Sequence, residues 1–183
     1  MPIYLEWLMK RYESLGGKSK KKTISSFDAI RPSFEIIINC TGLNSGELLE
    51  DEEVYPVRGQ IIRVKAPLTE MYLDQQIENL AYIVPRSKDV VLGGVAQQGS
   101  WSLEQNTEDH DFILNKCASI IPELKDAEII EDLVGLRPGR TEVRLEKEER
   151  DGVDLIHNYG HGGSGITLSW GCADEVVELA NGR

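Results

Sequence analysis

Leu5, Leu8 and Met9 recur at helical spacing before Gly16-Gly17, which predicts an amphipathic helix over residues 4–15 stopped by the glycines. Residues 35–39 read differently. Ile36, Ile37 and Ile38 form an unbroken β-branched run that ends in Cys40-Thr41-Gly42, the pattern of a strand buried on both faces of a parallel sheet. Such a sheet is built from crossovers of about 30 residues each. The chain before residue 36 holds too few of them, so neighbouring βα pairs are expected to lie N-terminal to these residues.

The middle of the chain changes grammar. Residues 57–64, 82–84 and 89–92 are short strand-like runs punctuated by Pro56, Pro67, Pro85 and Gly93-Gly94, which predicts an antiparallel or mixed sheet. A helix is predicted over residues 107–121, with Glu108, Asp109 and Asp111 at its positive end and Pro122 as its stop. Residues 127–136 read as another strand, closed by a Pro138-Gly139 turn. A last strand over 154–159 runs into Gly160-His161-Gly162-Gly163-Ser164-Gly165, and an apolar helical pattern covers 166–180. These elements give a mixed α/β (α+β) class. The change at Gly42 and the return near Arg144 suggest three stretches, 1–42, 43–144 and 145–183, with the first and last lying together.

Charge narrows the function. Asp and Glu outnumber Lys and Arg by 31 to 20, a formal net charge of -11, so phosphate backbones and anionic lipid surfaces are repelled. Nucleic-acid and membrane partners are therefore not expected. Lys18, Lys20, Lys21 and Lys22 form the one basic run, read as a solvated strand edge. Cys40, Cys117 and Cys172 are odd in number and widely spaced, which argues against a disulfide framework or a zinc site and for a reducing, intracellular setting. His157 and His161 are four apart as in helical zinc motifs, but the surrounding glycines read as a loop, so no metal is expected. No acid–base or nucleophile dyad stands out, and no catalytic side chain is assigned.

Two segments carry candidate chemistry. Gly160, Gly162 and Gly165 match Gly-x-Gly-x-x-Gly between a strand and a helix. Only 18 residues follow Gly165 (183 minus 165), too few for the second strand and ribose-binding acid of an ADP site. The loop is either a tight turn that packs a helix on a strand, or a place where a ligand meets bare backbone and a helix N-terminus; a reduced flavin, negative over N1 and C2, suits the latter. Arg137, beside Pro138-Gly139, is placed to grip a carboxylate with two parallel bonds, or else makes a surface ion pair with one of the many Glu residues.

Taken together, Asn39-Cys40-Thr41-Gly42, Arg58-Gly59-Gln60, Tyr82-Ile83-Val84-Pro85, Leu92-Gly93-Gly94, Gly135-Leu136-Arg137-Pro138, Arg144-Leu145-Glu146 and His157-Asn158-Tyr159-Gly160-His161-Gly162-Gly163 resemble the D-amino-acid oxidase and D-aspartate oxidase family, in order and over nearly the whole chain. The resemblance implies a Rossmann-like FAD-binding lobe, here only in part, with a substrate-binding sheet lobe. It implies FAD as cofactor, and a D-amino acid and oxygen as small-molecule partners. By resemblance Arg137 anchors the substrate carboxylate, Tyr82 is a second carboxylate contact, and the Gly163 carbonyl accepts from the substrate amine. Gly162, Gly163, Gly165, Ile166 and Thr167 then line the flavin ring, with Thr41 and Ile24 bordering the cofactor from the other side.

The implied reaction is hydride transfer from substrate Cα to flavin N5, hydrolysis of the imino acid to a 2-oxo acid and ammonia, and reoxidation by oxygen to hydrogen peroxide. A peroxisomal location and a homodimer are the matching expectations. The family opens with a βαβ unit carrying the dinucleotide glycines, to which no part of this sequence corresponds, and Arg183 is not preceded by the family's peroxisomal tripeptide. Glu78 stands where vertebrate D-amino-acid oxidases have a lid tyrosine, Arg86 where they have glycine, and Ser164 replaces an aromatic. Ala96, where aspartate-preferring members tend to be basic, tilts the expectation to neutral substrates, with Arg86 as a substitute charge for the D-aspartate oxidase alternative. A non-catalytic binding module is the alternative of another class.

Overall fold

The computed structural model describes residues 2–74 and 80–182. It divides into two compact units, Met1–Ser33 and Phe34–Arg183. In the first, α1 (Pro2–Ser14) ends as the glycine stop requires: Gly16 takes φ +89 and its N–H bonds the Glu13 carbonyl. Lys18 to Lys22 are exposed and lie in no regular element, so the lysine run is solvated coil rather than the edge strand that was expected.

The second unit is built on one mixed sheet. Its strands are β1 (Ile36–Asn39), β2 (Tyr55–Lys65), β3 (Tyr72–Asp74), β4 (Ala81–Pro85), β5 (Val90–Gly93), β6 (Gln97–Gln98), β7 (Glu128–Arg150) and β8 (Val153–His161). The helices are α2 (Ser45–Leu49), α3 (Thr107–Ile120) and α4 (Gly165–Ala180). The strand order is β1-β8-β7-β2-β5-β4-β3, with β6 also on β2. Among the described residues only the β1–β8 pairing is parallel, Ile37 opposite Leu155 and Asn39 opposite His157.

Alternation along β2 sorts the sheet into two faces. Ile62 and Val64 join Ile83, Val90, Leu92 and Val95 in a core closed by Ile113 and Cys117 of α3 and by Leu124. Arg58 on the same face is buried, its guanidinium fully bonded to Asp109 (2.5 Å), Gln97, Gln60 and the carbonyls of Ser102 and Glu104. That satisfaction is what permits a buried cation there. Asn106 caps α3, accepting from the N–H groups of Glu108 and Asp109.

Three readings change. β1 buries only one face, Ile37 and Asn39, while Ile36 and Ile38 are 41% and 50% exposed, because nothing in this unit covers their side. Pro138-Gly139 does not end a strand: β7 runs on to Arg150, and the pair marks where it leaves β2 (Tyr55 opposite Gly139) and joins β8 (Gly139 opposite His161), with a register shift between Gly139 and Arg144. Proline lacks the N–H for a ladder, so it sits at the irregularity between two partners. Gly160 and His161 likewise belong to β8 rather than to a loop.

Candidate active site

Arg137 sits where β7 changes partners, and its side chain lies across Gly59 of β2. A Cβ at Gly59 would run into the Arg137 guanidinium, so only glycine leaves it room. On the neighbouring strands Gly93 performs the same service for the Tyr82 ring, to which it is directly paired. The Tyr82 phenol lies beside Arg137; burial pushes it above its ordinary value although the arginine pulls it down, so it stays neutral at neutral pH. Arg137 also reaches the Val95 carbonyl at 3.5 Å, and its Cδ lies 3.5 Å from where a Gly163 Cβ would stand.

A cleft of about 430 Å³ opens beside Arg137, lined by Cys40 and Gly42, by Leu136 and Pro138, by residues 158–163, and by Gly165 and Ile166. Gly160 (φ +90) and Gly162 (φ +55) are in the left-handed region that side chains disfavour, and a Cβ at Gly162 would meet only open space. The 16-residue α4 starts at Gly165, beside the cleft, with no side-chain hydrogen bond at its N-terminus. Asn158, part of the lining, has a buried Oδ1 without a hydrogen-bond partner. Cys172 Sγ approaches His161 Nε2 at 3.4 Å, and burial lowers the pKa of His161.

The residues expected from the sequence fall into two groups. Tyr82, Arg137 and Gly163 come together, and Gly162, Gly165 and Ile166 line the cleft. Thr41 turns its hydroxyl to Asn39 between the lining residues Cys40 and Gly42, and Thr167 is exposed on the first turn of α4. Ile24 belongs to the Met1–Ser33 unit, and Glu78 lies outside the described residues. Arg86 is exposed but committed, donating to Asp89 at 2.5 and 2.7 Å. Sequence reasoning missed Gly59 and Gly93 as shelves, although a lone glycine inside a strand signals close approach. Among the described residues no group of three or more His, Cys, Asp or Glu is arranged to hold a metal.

The pattern of the FAD dependent oxidoreductase family matches residues 2–179. The chain belongs to that family. Among curated proteins it is 45% identical over 183 residues to a D-amino-acid oxidase of Rubrobacter xylanophilus, covering 98% of this chain and 56% of that protein. It is 41% identical to the D-aspartate oxidase of Homo sapiens, covering 98% of this chain and 54% of that protein. The chain thus spans about half the length of these relatives. The glycine oxidase of Bacillus cereus shares the fold at TM-score 0.71 and 25% identity, over 81% of this chain and 43% of that one. For a family defined by FAD, the uncapped helix start, the open glycine wall and the unpartnered Asn158 oxygen suit the polar edge of a flavin ring. No helix among the described residues is long and apolar enough to cross a membrane.

Proposed function

We propose that this chain supplies the substrate site and the ring side of the cofactor site of an oxidase of neutral D-amino acids, which uses water and oxygen to yield a 2-oxo acid, ammonia and hydrogen peroxide. The observation that carries the reading is the Arg137–Tyr82 pair held beside the glycine-walled cleft. The three stretches 1–42, 43–144 and 145–183 are proposed as cofactor, substrate and cofactor parts. Peroxisomal residence and a homodimer rest on the family resemblance alone.

FAD, when bound, supplies a two-electron acceptor that oxygen regenerates. The chain's own residues orient. Arg137 grips the carboxylate with its fork, and Tyr82 adds a neutral O–H donor. The Gly163 carbonyl receives the amine, which fixes Cα toward the cleft. No acid or base is needed if the amine binds neutral, so catalysis lies in positioning.

An acidic substrate would need a second free cation. Arg86 is spent on Asp89, and Arg63 is shared between Asp89 and Glu131, which supports a neutral side chain over D-aspartate. The test is direct. The chain joined to the N-terminal part of the Rubrobacter relative and loaded with FAD should release peroxide from D-alanine and little from D-aspartate or L-alanine. Arg137→Lys in that protein should weaken D-alanine binding by roughly 2–5 kcal/mol, as loss of a buried charge pair does. Unchanged affinity for D-alanine removes Arg137 from the site.

A further inference from the structure

The buried polar groups beneath the cleft are not explained by substrate binding. Asn39 and His157 face each other across the β1–β8 pairing at 1% and 0% exposure. Each would cost stability there without partners. Asn39 spends its whole capacity. Its Oδ1 accepts from the Thr41 N–H (3.1 Å) and the Thr41 hydroxyl (2.7 Å), and its Nδ2 reaches Ser45 Oγ (3.3 Å) and His157 Nδ1 (3.3 Å).

The directions of these bonds follow from one of them. A backbone N–H can only donate, so the Asn39 atom facing Thr41 is the oxygen and its NH2 faces the histidine. His157 Nδ1 must then accept, which leaves the ring proton on Nε2. Nε2 looks toward Glu148 Oε2 at 3.6 Å, beyond a hydrogen bond, and Glu148 is already held by Arg144 at 3.0 Å. Burial and the nearby Arg144 lower the His157 pKa against the pull of Glu148, so the ring is neutral.

Position gives this chain of bonds its meaning. β1 leads directly into Cys40 and Gly42, and β8 ends in residues 158–161 and leads into Gly162 and Gly163, all of which line the cleft. The Asn39–His157 bond therefore crosses the root of the cleft. We propose that Asn39 and His157 are a positioning pair for the cofactor: His157, protonated on Nε2, orients the Asn39 amide, and Asn39 holds the 40–42 turn at its working distance from the glycine wall. This rests on the flavin reading above.

The 15N-labelled 183-residue chain tests it. Long-range proton–nitrogen spectra should show His157 as the Nε2–H tautomer. In Asn39→Asp the atom facing the ring becomes an acceptor, so the signals should invert to a protonated Nδ1 while Thr41 keeps its partner. His157→Phe, which frees the amide to rotate, should speed Thr41 N–H exchange about tenfold, the loss expected for one hydrogen bond. Millimolar FAD should shift the Thr41 and Gly163 amides of the unaltered chain, and shift Thr41 far less in His157→Phe.

An Nδ1–H tautomer in the unaltered chain overturns the pair whatever FAD does. Unchanged Thr41 exchange in a folded His157→Phe does the same, and the Asn39→Asp spectrum decides if the phenylalanine variant fails to fold. Expected tautomers with no FAD shift at either amide overturn the flavin reading instead, and reduce the pair to a brace of the fold.

Discussion

At the scale of single residues the site is shaped by what is missing at Gly59. The atoms that an added methyl would meet are the far end of the Arg137 side chain, so the guanidinium can yield while the backbone stays. Gly59→Ala should therefore raise the KM for D-alanine by about tenfold through a misplaced fork, with thermal stability nearly unchanged. Steady-state kinetics on the completed, FAD-loaded protein would read this, and a collapse of stability with KM intact would contradict it.

Asp51 poses a different case. It is buried against Tyr159 (2.6 Å) and Arg140 (3.0 Å). Burial alone would raise its pKa, but the hydrogen bonds from Tyr159 and Arg140 outweigh that and hold it below its ordinary value, while the Tyr159 phenol is pushed up to about 12. A depressed folded pKa stabilises above the unfolded value, about pH 4, and that contribution is lost as pH falls through the folded value. Asp51→Asn should cost roughly 1–3 kcal/mol at pH 7 and flatten the acid limb of the stability curve. Urea melts at pH 3 to 7 would show it; parallel acid limbs would not.

At the scale of elements, α3 depends on one cap. Asn106→Ala removes the acceptor for two N–H groups and should cost about 1 kcal/mol in urea unfolding, with the α3 signal lost early. This helix was readable because its signals are local: acidic residues at its start and Pro122 at its end. The short strands of the middle sheet were readable for the same reason. β7 was read too short because Pro138-Gly139 has the composition of a turn, and only the partner strands reveal that the chain continues through it. The isoleucine run of β1 looks alike whether one face or two are covered, a distinction made by neighbours and not by its own residues. Arg137 and the glycine loop were singled out by a turn signal and a glycine motif, and Tyr82 through the resemblance alone, whereas the Asn39–His157 bond joins residues 118 apart and has no local signature.

At the scale of the molecule, the cleft is proposed to take the ring side of a flavin, and the chain spans about half the length of its relatives. The 183-residue chain alone should therefore purify without flavin colour. Ile36 and Ile38 of β1 and Ile166 and Val177 of α4, which fall on one stripe of that helix, are exposed in the Phe34–Arg183 unit and should promote association. Sedimentation should show oligomers that diminish in Ile36→Thr/Ile38→Thr; a stable monomer with a stoichiometric flavin spectrum would refute both expectations.

β7 has a last consequence. A single unbroken backbone carries Arg137 and, five residues on from its last pairing with β2 at Gly139, the first full run of pairing with β8 from Arg144. Arg137 and the glycine-bearing end of β8 thus share one mechanical baseline and are not two bodies joined by a linker. Their separation cannot open and close like a jaw; it has the tolerance of a ladder rung. Substrates that differ only in where the reacting carbon lies along that baseline should be separated by turnover rather than by affinity.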